Sequence, residues 1–212
     1  MWRILLSIFI QFSFAQQALE NFPNPRTNGY KACGLKSKGY VCDLDKVLTE
    51  QERYRLNNDL LQLSRRTSTE QSSDFCSTKG IDATLLILKQ ANEQLAEQIN
   101  KQWDVDGQCQ RSVVFVLSAD DHRLYYAAEE QAGISLSFVF IISKSCERNQ
   151  QLKIAPSALA HTFSARSNFE AAVAEQQQLF AERKYVSALS GVFKKIADSI
   201  QPSSKKDGTG TS

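Results

Sequence analysis

Val47 to Leu63 reads VLTEQERYRLNNDLLQL. Thr49 and Glu52 stand in the T-x-x-E spacing of a capping box, in which each side chain satisfies a free backbone N–H at a helix start. Glu50 and Glu52 place negative charge in the first turn, where the helix dipole favours it. Leu56, Leu60 and Leu63 recur at i, i+4 and i+7 and form one apolar stripe, leaving Arg53, Arg55, Asn58 and Gln62 for water. The stretch predicts a helix with one side to bury, and such a side docks against a sheet. Nothing in it carries chemistry.

Downstream, Ile81 to Leu88 (IDATLLIL) is a short continuous apolar run, the pattern of a strand covered on both faces. Ala91, Leu95, Ile99 and Trp103 follow at helical spacing. Asp104 to Gln108 reads as a turn, and Ser112 to Ser118 (SVVFVLS) as a second buried strand. Ala119 to His122 is a tight polar turn into Arg123 to Ala128 (RLYYAA), which fits a hairpin. Phe169, Val173 and Phe180 mark one later helix; Tyr185, Leu189, Val192, Ile196 and Ile200 mark another. This order predicts an α/β fold, a three-layer α/β/α domain with a small central sheet and helices on both faces. Upstream, residues 16–29 are rich in Asn and Pro and read as an irregular lead-in. The domain is expected over 30–200, and residues 201–212 as a tail too polar to fold alone.

The 212 residues hold 25 Lys+Arg and 23 Asp+Glu, a net charge of +2, so no one-sign field draws nucleic acid. Met1 to Arg3 is a short positive start, Ile4 to Phe14 an apolar run, and Ser13-Phe14-Ala15 places small residues at −3 and −1. Residues 1–15 are therefore expected to be a signal peptide, too short for a membrane span of about 20 residues. Export makes Cys33, Cys42, Cys76, Cys109 and Cys146 disulfide candidates, and an odd count leaves one free or bound to another chain. The spacings match no zinc pattern. No glycine-rich phosphate fingerprint follows a strand.

Together, Asp45 to Arg53, Ser112 to Leu117 with Asp120 to Arg123, and Leu179 to Tyr185 with Ala188-Leu189 resemble the TPM domain, an α/β/α module. Cys33, Cys42, Cys76 and Cys109, behind Asn24-Pro25-Arg26, resemble its nematode branch, modulators of levamisole-sensitive acetylcholine receptors. The resemblance implies an extracellular, auxiliary partner of ligand-gated ion channel subunits, either secreted or on the outer face of the plasma membrane. Members of that branch carry a membrane span after the domain; here PSSKKDGTGTS follows, so a secreted form or a shortened product is expected. Ile134 to Ile154 lies where the family has a short connection and reads as an insertion holding Cys146.

The cysteine pairing expected on this basis is Cys33–Cys42, closing a small loop before the helix, and Cys76–Cys109, tying the loops that enter the two central strands. Because some relatives bind calcium or act as acid phosphatases, the resemblance also makes Asp120 and Asp121 candidate metal ligands, with a weak metal-dependent phosphatase as the alternative function. The plainer reading is that Asp-Asp simply makes the hairpin turn, since Asp favours such positions. Asp104-Val105-Asp106-Gly107 lacks the later ligands of a calcium loop. His161 stands without a partner in its sequence neighbourhood. Tyr125-Tyr126 and Phe138 to Ile142 are candidates for an exposed contact surface. Adjacent strand residues face opposite ways, so one tyrosine of the pair is expected to be buried.

Overall fold

The computed structural model describes residues 22–69, 73–129, 132 and 169–200. Four strands form one sheet in the order β1 (Val41–Asp43), β2 (Asp82–Leu88), β3 (Ser112–Ser118) and β4 (Arg123–Ala128). The first three run parallel, and β4 returns antiparallel to β3. Helices α1 (Glu50–Thr67), α2 (Phe75–Thr78), α3 (Glu93–Trp103), α4 (Gln177–Ala181) and α5 (Tyr185–Ile200) complete it, with residues 169–175 also helical.

Every residue of β2 and β3 is buried, which is why these strands read as unbroken apolar runs rather than alternating ones. Their odd-numbered residues, among them Leu85, Ile87, Phe115 and Leu117, share one core with α1 and α5. The even-numbered Leu86, Leu88, Val114 and Val116 share a second core with α3, Cys33 and Cys42. Tyr125 and Tyr126 continue this division, and both are buried, because each face of β4 is covered. The tyrosine pair is therefore not an exposed contact surface.

Sequential parallel strands joined by α1 on one face and α3 on the other require crossovers of opposite hand. One of the two thus departs from the right-handed rule. The Leu56, Leu60 and Leu63 stripe lies against the sheet and α5, each of the three at 2% exposure or less. Burying one such leucine contributes about 2 kcal/mol.

α1 begins later than the quoted stretch and runs four residues beyond it. Thr49 accepts from the Glu52 N–H, and the Glu52 carboxylate accepts from the Thr49 N–H, 2.8 Å, so the capping box is complete. The Phe169-to-Phe180 helix is interrupted at Gln176, and α4 starts after it. Ring packing accounts for the position of Phe169, which lies tilted 4.1 Å from Tyr126 and stacked 6.2 Å from Phe115, centroid to centroid.

The described part of the lead-in is firmly attached. Trp103 donates its indole N–H to the Phe22 carbonyl, 3.1 Å, and Asn24 reaches the Trp103 carbonyl, 3.3 Å. Arg26 makes a two-pronged ion pair with Asp82, 2.5 and 3.1 Å, and lies 4.3 Å above the Tyr40 ring. Among the described residues no helix is long and apolar enough to cross a membrane.

Candidate functional site

In open α/β sheets ligands collect outside the carboxyl ends of the strands, where neighbouring connections leave for opposite faces. Here that place lies between β1, whose chain turns towards α1, and β2, whose chain turns towards α3. Asp43, the last residue of β1, is 1% exposed. Its carboxylate accepts from the N–H groups of Val47, 2.9 Å, and Leu48, 3.0 Å, and pairs with Arg53, 3.2 Å. Arg53 also donates to the carbonyls of Leu48, 2.6 Å, and Gly34, 3.2 Å. Asp45 accepts from the Lys89 N–H, 2.7 Å, and so joins the ends of β1 and β2. These carboxylates hold loops.

Asp120, Asp121 and His122 occupy the β3–β4 turn. Both aspartates are exposed. The Asp121 carboxylate accepts from the Ser118 hydroxyl, 2.7 Å, and that hydroxyl accepts from the Ala91 N–H, 3.0 Å. His122 has a φ of 56°, the left-handed region a tight turn uses. The Tyr185 hydroxyl donates to the Ala119 carbonyl, 2.5 Å, so its contact with His122 Nδ1, 3.0 Å, has the imidazole donating. Burial raises the Tyr185 phenol above its ordinary range, and the nearby Asp120 charge adds to this.

Calcium takes about six to eight oxygen ligands, and this turn supplies two carboxylates, one already occupied by a serine. Among the described residues no three His, Cys, Asp or Glu side chains gather as a metal would need. The donor set does not fit a calcium cage, and the turn-forming role of Asp121 is the one its contacts express. Asp106 is likewise structural: it accepts from the Arg111 N–H, 3.0 Å, and pairs with Lys79, 2.7 Å. Lys79 also reaches Asp82, 3.3 Å, so Arg26, Asp82, Lys79 and Asp106 form one charged chain at the opposite end of the sheet.

Cys33 is bridged to Cys42 and Cys76 to Cys109, the pairing expected from the sequence. The first bridge is buried in the α3-side core, beneath an exposed loop. The second borders a groove of about 240 Å³ lined by Asp74, Cys76, Ser77, Cys109 and Arg111. Phe75 beside it is 63% exposed. Cys146, His161 and Phe138 to Ile142 lie outside the described residues, as do the leader, the insertion and the tail.

Sequence reasoning missed the Asp43–Arg53 and Arg26–Asp82 pairs. The available signal was an aspartate at the end of a buried strand, VCD, with an arginine ten positions later on the helix's first turn.

No curated protein matches the chain. The family described as Modulator of levamisole receptor-1 matches residues 17–122, half of the sequence, from the lead-in through both bridges to the β3–β4 turn. The chain belongs to the Modulator of levamisole receptor-1 family.

Proposed function

We propose that this chain is an extracellular binding module that modulates a levamisole-sensitive, acetylcholine-gated ion channel complex. The family match over residues 17–122 carries the reading. Two disulfides support the extracellular setting, since such bonds persist in oxidising compartments. On this reading the partner is a receptor subunit, and the leader directs the chain out of the cell. The domain is of the TPM type, on the motifs at Asp45 to Arg53 and Asp120 to Arg123.

The test is electrical. Levamisole receptor subunits are expressed with and without the full chain, and acetylcholine-evoked currents are recorded alongside surface co-purification. A changed current amplitude or dose–response, with the chain co-purifying, is the expected result. Identical currents and no co-purification would sink the reading.

A further inference from the structure

Residues 22–42 contain Arg26, Lys31, Lys36 and Lys38 and no acidic residue, in a chain whose net charge is +2. Arg26 is committed to Asp82, and Lys36 pairs with Glu50 at 2.5 Å. Lys31 and Lys38 are exposed, and among the described residues neither forms an ion pair. Of the carboxylates in the following segment, Asp43 is neutralised by Arg53 and Glu50 by Lys36, while Asp45 and Glu52 are held by the Lys89 N–H and by Thr49 and form no ion pair with Lys31 or Lys38. Positive charge is thus left over on one loop.

That loop is also held rigid. The buried Cys33–Cys42 bridge closes residues 33–42. Hydrogen bonds join the 3-10 turn of Lys31 to that loop and pin it to α1: Gly34 N–H to the Lys31 carbonyl, 3.1 Å, Leu35 N–H to the Tyr30 carbonyl, 3.0 Å, Lys36 N–H to the Tyr54 hydroxyl, 2.9 Å, and Tyr40 N–H to Asn57, 2.6 Å. Gly39 sits so close to α1 that a Cβ there would come within 2.4 Å of the Asn57 side-chain oxygen. A fixed loop loses little entropy on binding, so its charges act as a preorganised surface.

We infer that the stretch 28–42, through Lys31 on its short 3-10 helix and Lys38 inside the disulfide-closed loop, is the docking surface for an acidic face of the partner protein; this rests on the channel-modulator reading for the partner's identity. Recognition of anionic lipid typically uses four to eight clustered basic residues. Two free lysines on a rigid loop instead suit a complementary protein patch, where charge sets encounter rate and register.

The full chain is prepared as wild type, as K31E/K38E, and as a charge-matched control, K101E/K194E, whose positions are exposed on α3 and α5. Binding to cells displaying levamisole receptor subunits is measured at about 50 and 150 mM salt. The expected result is at least tenfold weaker binding by K31E/K38E, an unchanged control, and a wild-type affinity that falls with salt. Equal binding by K31E/K38E and wild type overturns the surface. If the wild type ignores these cells altogether, the channel reading falls and the loop is judged on polyglutamate resin. Earlier elution of K31E/K38E than of the control upholds it there, and equal elution overturns it. Tighter wild-type retention on phosphatidylserine vesicles than on polyglutamate also overturns it, in favour of a membrane.

Discussion

A single carboxylate, that of Asp43, joins three otherwise separate pieces of chain. It closes the turn after β1, seats the start of α1 and neutralises Arg53, whose guanidinium reaches back to Gly34. Removing one partner of a buried pair leaves the other charge uncompensated, so Asp43→Ala is expected to cost about 3 kcal/mol in urea denaturation. A loss below about 0.5 kcal/mol would show that water replaces the carboxylate. Tyr185 makes a different demand. Its raised phenol pKa means that the folded state holds the proton more tightly than the unfolded chain. The associated stability is fully present below about pH 10 and is lost as pH climbs through the folded value. Wild-type melting temperature should therefore fall more steeply than that of Tyr185→Phe as pH rises above about 10. At neutral pH the variant should be weaker by about 1 kcal/mol, for the lost bond to the Ala119 carbonyl. Parallel slopes would dismiss the linkage.

Strands and helices differed in how openly their residues announced them. β3 and β4 run over the spans read from SVVFVLS and RLYYAA, because two covered faces impose continuous apolar runs with clear polar ends. The capping box at Thr49 was equally plain, being a contact between residues three apart. Its expected weight is modest: Thr49→Ala should cost about 1 kcal/mol by thermal or chemical unfolding. Thr49→Ala with Glu52→Ala should cost less than the two single losses added, since they share one interaction. Additive losses would show the two halves acting independently. What local pattern could not disclose were contacts between distant segments. Phe169 and Phe180 share a helical spacing, yet the helix breaks at Gln176, where its side chain lies within 2.7 Å of where a Cβ on Gly191 would stand. Asp120 and Asp121 lie at the turn their sequence suggests, but whether neighbours complete a metal cage depends on tertiary arrangement, and among the described residues no third His, Cys, Asp or Glu joins them.

Taken together, the chain is tied at two points by bridges of unequal reach. Cys33–Cys42 spans 9 positions and Cys76–Cys109 spans 33. Chain entropy assigns the longer about 3.7 kcal/mol and the shorter about 2.6 kcal/mol. Cys76→Ser/Cys109→Ser should accordingly be the more damaging pair in denaturation, provided both oxidised references are measured side by side. The reverse ranking would mean that the small bridge acts chiefly by holding the buried Cys33 and Cys42 sulfurs in the α3-side core.

The two faces of the sheet also draw on different times in the life of a nascent chain. Among the described residues, everything that covers the α3 side lies between Phe22 and β4, whereas the α1 side also needs Tyr185 to Ile200 laid over it. As synthesis proceeds from the N-terminus, the α3 side can close early, while Leu85, Ile87 and Phe115, covered in part by α1, wait for α5 to complete their cover. The α1 side therefore stays incomplete until α5 has been made. The interval before α5 arrives is therefore the moment at which a chaperone has most to hold.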